Sequence, residues 1–289
     1  MQKVQRQASG NGGRSMIRSA AKALRGGRDT MARGRGFLLT LCLLLILLSS
    51  LAPAARPASA DEGWLINSFE ARIEVVADGS LRIGETILVD LGPEASHGIF
   101  RDIPIVYDYG DGFNRVYDLD VLSVTDVDGR PHKYQVERQG SYLRIRIGDP
   151  NVYVSGAHSY RIDYRVRGAL NGFADHDELY WNVNGRWPVR TERTVATVTL
   201  PGEGVRQIAC YQGALGATEP CRSAGAARTA TFETTRSLPE GQQLTIVVAM
   251  PKGLVPEPQP RLERQPRQPE QIFETTPVNV GGGLLALVA

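Results

Sequence analysis

Histidine, cysteine and long amphipathic helices are what this chain has least of. Four histidines and three cysteines in 289 residues, with no CxxC, leave too few soft ligands in one place for a thiolate zinc centre, so neither a metal nor a cofactor is expected. GxSxG, HExxH and a phosphate-cradling glycine loop are all missing, which leaves the common nucleophile, metalloprotease and nucleotide chemistries without a local signature. Apolar residues at helical spacing are absent beyond residue 60, which argues against bundles and alternating α/β folds. The formal charge of +2 conceals another shortage: residues 1–60 hold ten of the 33 Lys and Arg and one of the 31 acidic residues, so the remainder carries 23 basic against 30 acidic groups. A mildly acidic domain with no basic cluster is a poor partner for nucleic acid, whose binding rests on Lys and Arg.

What is present begins with the uncharged run Phe37 to Leu51, which follows Arg33 and Arg35 and leads into Ala58-Ser59-Ala60. Basic flank, apolar stretch and small residues before Asp61 make a secretory signal, and the domain after Asp61 is expected on the extracytoplasmic side. Two fates stay open for the run. It is cleaved, or its 20 uncharged residues from Gly36 to Ala55 stay in the bilayer as an anchor. Cys42 reads as an apolar filler within it. Residues 1–30 carry seven Lys or Arg with no apolar periodicity, and Met16 and Met31 offer later starts, so no function is assigned to this basic arm. Export leaves Cys210 and Cys221, an even pair in an oxidising compartment, which is expected to form a disulfide.

From Asp61 to Val255 the pattern is that of short strands. Phe69, Ala71, Ile73 and Val75 alternate with charged residues, Asp78-Gly79 turns the chain, and Leu81, Ile83, Ile87 and Val89 continue on one face. Tyr160, Ile162, Tyr164 and Val166 alternate in the same way, and later strands are expected over 178–183, 194–200, 205–211, 228–234 and 243–250. About ten strands with period-two alternation predict an all-β fold, an antiparallel β-sandwich built as one large or two small sandwiches. Residues 256–280, rich in Pro, Gln, Arg and Glu, read as an extended linker. Residues 281–289 read as the start of a transmembrane helix cut short, through which the chain would be tied to the membrane a second time.

Three stretches carry a family resemblance: Asp78 to Glu85 (DGSLRIGE), Gly98 to Pro104 (GIFRDIP) and Asp177 to Pro188 (DELYWNVNGRWP). In combination they resemble the YciQ-like predicted membrane proteins of bacteria, domain of unknown function 2207, over roughly Ile66 to Leu254. That resemblance implies a membrane-associated chain with an extracytoplasmic β-domain followed by membrane helices. It implies no activity.

Glu85 is the residue that breaks the pattern, because alternation places its carboxylate on the apolar face with Leu81, Ile83, Ile87 and Val89. Arg101 is the expected partner, since a guanidinium can bind a desolvated carboxylate in a fork. The pair either locks the following segment onto the first hairpin, the favoured reading, or forms the floor of a ligand cleft. Tyr180, Trp181 and Trp187 form an expected aromatic hairpin around Asn184-Gly185. Period two sends Tyr180 and Trp181 to opposite faces, leaving one of them free to stack on a ligand. Asp175 to Glu178, with His97, His132 and His158 elsewhere, resembles metal chemistry but reads as a solvated acidic loop, and Asp108, Asp111 and Asn114 read as a turn.

These readings add up to a cell-membrane protein whose outer β-domain binds an envelope protein or glycan without catalysis. The alternatives are an envelope hydrolase working through acids such as Glu85 or Asp102, and a spacer domain with no ligand.

Overall fold

The computed structural model describes residues 63–266, and these contain strands and no helix. In chain order the strands are β1 (Leu65–Val75), β2 (Leu81–Asp90), β3 (Ile99–Pro104), β4 (Val106–Gly110), β5 (Phe113–Val116), β6 (Asp118–Thr125), β7 (Tyr134–Gln139), β8 (Tyr142–Ile147) and β9 (Ala157–Arg167). They continue as β10 (Leu170–Gly172), β11 (His176–Asn182), β12 (Thr194–Thr199), β13 (Gln207–Gly213), β14 (Glu219–Pro220), β15 (Arg222–Ala226), β16 (Thr229–Glu233), β17 (Gln243–Pro251) and β18 (Leu262–Arg264). The signal or anchor run and the apolar C-terminal stretch lie outside the described residues.

A seven-stranded sheet, in the order β15-β16-β12-β1-β2-β9-β6, carries the alternating strands, and a five-stranded sheet runs β10-β11-β17-β13-β14. Two three-stranded sheets, β18-β5-β4 and β3-β8-β7, complete the domain. Alternate residues of the large sheet face inward, among them Phe69, Ile73, Ile83, Ile87, Ile162, Val198 and Phe232. They share one core with Leu179, Trp181, Leu244, Ile246 and Val248 of the five-stranded sheet. β17 is central in its sheet and buried along most of its length, with its inward residues Leu244, Ile246, Val248 and Met250 in the core.

The fold is all-β as expected, with 18 strands rather than about ten among the described residues, because several long stretches break into short ladders. One pairing departs from the antiparallel expectation: β12 lies parallel to β1, with Phe69 opposite Thr194 and Glu74 opposite Thr199. Parallel neighbours need a long crossover, and the chain between them supplies it. The Asp78-Gly79 hairpin forms as read. Gly79 takes φ 80°, and Asp78 Oδ1 accepts from the backbone N–H of Ser80 at 2.8 Å and its hydroxyl at 2.6 Å.

The Pro-rich segment does not leave the domain at Val255. Val255 is itself part of the core, and β18 pairs with β5, with Leu262 opposite Arg115 and Arg264 opposite Phe113. The expected disulfide between Cys210 and Cys221 is formed.

Candidate functional site

Strand alternation turns Glu85 into the core of the large sheet, where its side chain has no exposed surface. Arg101, on β3 of a different sheet, meets it as a fork: Nε donates to Oε2 at 2.8 Å and Nη2 to Oε1 at 2.7 Å. The Tyr164 hydroxyl, from β9, donates to Oε1 at 2.6 Å. Nη1 donates to the carbonyls of Asp102 and Asn184, both at 2.9 Å, and Nη2 to that of Val183 at 3.2 Å. Each of the five guanidinium N–H groups thus has an acceptor. Its carbon also lies 5.3 Å from the Phe69 ring centre and 5.9 Å from that of Trp187.

The electrostatics follow from this closure. Burial works against the charge on Arg101, and Glu85 beside it more than offsets burial, so the guanidinium is held above its usual range. Burial, and then the adjacent Glu85 charge, push the Tyr164 hydroxyl well above the ordinary tyrosine range, which keeps it a donor. A pair so completely satisfied joins β2, β3, β9 and the segment after β11, and it has no donor left over for a ligand.

Trp187 lies in the same core, 4% exposed, and its indole N–H donates to Asn184 O at 2.9 Å. Asn184 is the hub that the sequence did not disclose. Its side chain accepts from Leu244 N at 2.8 Å while its carbonyl takes both Arg101 and Trp187. This corrects the aromatic hairpin: β11 pairs with β10 and β17, and the chain after Asn182 crosses the core instead of turning back. Primed two-residue turns need positive φ at their first position, here Asn184, and only Gly185 has it, at 66°.

Trp181 is buried and Tyr180 is the exposed member of that pair, at 43%. Two strands away on the same outer face stands Tyr211, 37% exposed, which the sequence reading did not single out. Strand spacing and register put their Cα atoms roughly 10 to 12 Å apart, with β17 between them. They border a shallow groove lined further by Gln212, Gln243 and Thr245, with no charged side chain. Asn182 Oδ1 accepts from Gln243 Nε2 at 3.0 Å and from Thr245 Oγ1 at 2.8 Å, which holds this polar row in place.

Only Asp175 of the acidic cluster lies in a solvated loop, and His176 to Glu178 belong to β11. Asp177 sits fully buried in β11, its Oδ1 accepting from Lys252 Nζ at 2.8 Å, and Lys252 also contacts both carboxylate oxygens of Glu257 at 2.7 Å. The stretch read as a turn at Asp108 and Asn114 is the β4–β5 hairpin, with Asp111 (φ 52°) and Gly112 (φ 74°) at its tip. Asp102 accepts Arg144 in a fork at 2.7 Å on each oxygen. On the outer face of the large sheet, Gly84 leaves a hollow of about 340 Å3, but its lining carries the ion pairs Arg82–Glu74 and Arg161–Asp163, mixed in sign and solvated.

The model of the predicted membrane protein family DUF2207, N-terminal domain, matches residues 65–250. The chain belongs to this family. Membrane association is therefore part of its description, although no helix among the described residues is long and apolar enough to cross a membrane. A comparison with curated proteins finds no match. Among solved structures, yeast LTA4 hydrolase in complex with bestatin aligns at 11% identity and a TM-score of 0.42, over 71% of this chain and 32% of that one. An M1 zinc metallopeptidase from Deinococcus radiodurans aligns at 12% identity and 0.36, over 64% and 42% respectively. The chain thus spans about a third of the hydrolase's length.

Proposed function

We propose that this family member is a cell-envelope protein, tied to the membrane, whose β-domain stands on the extracytoplasmic side and holds a neutral glycan without transforming it. The observation that carries this reading is the pair Tyr180 and Tyr211, exposed on one sheet face beside an uncharged groove of amides and hydroxyls. Sugar rings stack their C–H faces on tyrosine and exchange hydrogen bonds with groups of this kind, and two tyrosines set roughly 10 to 12 Å apart along the backbone suit nearby residues of one chain. The apolar run behind Arg33 and Arg35 supports export. A hydrolase gains little support. Glu85 is sealed in the core, and Asp102 is neutralised by Arg144. An exposed aromatic pair is likewise more than a spacer needs.

The test is retention of the full chain on immobilised neutral oligosaccharides, N-acetylglucosamine oligomers among them. Tyr180→Ala and Tyr211→Ala are each expected to weaken retention about tenfold, the upper end of what one aromatic contact contributes. Retention untouched by either change, or chain-length shortening of the oligosaccharide by the purified protein, would overturn the reading.

A further inference from the structure

A second cavity, of about 450 Å3, opens on the outer side of the β3-β8-β7 sheet, away from the tyrosine groove. Its floor is a backbone crossing. Gly98 (φ 124°) and Gly148 (φ 138°) lie face to face, and a Cβ on either would collide with a carbonyl of the other loop, Ile147 O or His97 O. Two glycines with no room for side chains let these loops touch and leave the hollow above them. Its walls are Phe100, Ile99, Pro150 and the ring of His97, and a smaller hollow of about 280 Å3 shares Arg146, Gly148 and Pro150 with it.

The charges around it are unequal. Lys133 is engaged by Asp149, and Arg144 is held by Asp102. Arg146 projects into the same space with no carboxylate partner among the described residues. Its cross-strand neighbours are Phe100 on β3 and Gln135 on β7, both neutral, and its guanidinium carbon lies 5.8 Å from the Phe100 ring centre. His97 donates from Nδ1 to Val152 O at 3.1 Å and packs at a tilt against exposed Tyr153, ring centres 4.2 Å apart, which leaves Nε2 for another group. Here, then, is a concave apolar site of ligand size with one uncompensated guanidinium at its wall, the arrangement that takes a body without charge and a planar anion.

We propose that this cavity is a binding site for a small amphipathic carboxylate, its aromatic or branched apolar body lying over Phe100 and Pro150 and its carboxylate seated in the fork of Arg146. The site is separate from the glycan groove and stands or falls apart from it.

The probe is 3-phenylpropionate, compared with its uncharged amide, titrated calorimetrically into the full chain in the millimolar range. Saturable binding of the carboxylate is expected, with the amide at least tenfold weaker, since the amide keeps the apolar body and loses the charge. Arg146→Ala is expected to cost the carboxylate about tenfold and the amide nothing, and Phe100→Ala to weaken both several-fold. Both residues are exposed, so these variants should fold. No saturable binding by the wild-type chain, equal affinity for acid and amide, or an unchanged affinity in Arg146→Ala would each overturn the proposal.

Discussion

Arg101 is a brace of this domain, because it is the point where two sheets and the segment after β11 share hydrogen bonds. Its loss strands Glu85, a carboxylate with no exposed surface, leaving one tyrosine hydroxyl as donor. Breaking a buried pair from one side costs about 3–5 kcal/mol, whereas replacing both partners with apolar groups of similar size is often nearly neutral. Arg101→Met is therefore expected to lower the unfolding free energy by about 3–5 kcal/mol, and Glu85→Leu with Arg101→Met to recover a large part of it. Urea unfolding of the two variants checks this. Equal destabilisation of single and double variants would mean that the carbonyls of Asp102, Val183 and Asn184, not Glu85, are what Arg101 is there to satisfy. Glu85 could be found in the sequence because a charge on an otherwise apolar strand face requires a partner. Asn184 could not, since its role depends on Leu244 and Arg101 arriving from two distant segments.

Strands were legible where period two is long and clean, as in β1, β2 and β9, and their pairing was legible only across the short Asp78-Gly79 turn. Which sheet a strand joins depends on contacts far apart in the chain. Thus Tyr211 escaped notice because β17, 34 residues beyond it at Thr245, is what brings it beside Tyr180. The Pro-rich segment shows the same limit from the other side. Composition makes 256–280 a linker, yet residues 261–265 dock because β5 offers a free edge. Val116 N donates to Arg261 O and Gln265 N to Gly112 O, both at 2.9 Å, and by the two-residue repeat Glu263 and Asn114 form the bonded pair between them. Glu263→Pro removes that ladder donor while leaving the core untouched. Trypsin is expected to cut after Arg261 and Arg264 several-fold faster in this variant, with the unfolding midpoint unchanged. Cleavage at the wild-type rate would mean that the strand is held by the Gln265 side chain, which reaches Asp108 and Asn114 at 3.1 Å each.

For the whole molecule, alkaline pH offers a reading of how tightly the layers close. Tyrosines divide into an exposed set, including Tyr109 and Tyr153, and a set packed on the core, the half-buried Tyr107 and the buried Tyr117, Tyr160 and Tyr164. Burial raises all four of the latter, and Tyr160, on β9 with the His132 ring beside it, is pushed up to about 12. In the unfolded chain each would ionise at about 10. A group whose folded pKa is raised contributes stability that is fully present below the unfolded pKa and lost as pH rises through the folded one. The fold should therefore be unaffected by tyrosine ionisation below pH 10 and weaken progressively between 10 and 12. Followed at the phenolate band, a titration is expected to give an early reversible step from the exposed rings. A later, steep step should coincide with loss of the β-sheet circular dichroism, because the Tyr164 hydroxyl cannot give up its proton while Glu85 holds it in the core. A single smooth step near pH 10, with the sheets intact, would mean that water reaches the Glu85–Arg101–Tyr164 cluster, and the brace between the sheets would then be far looser than its hydrogen bonds indicate.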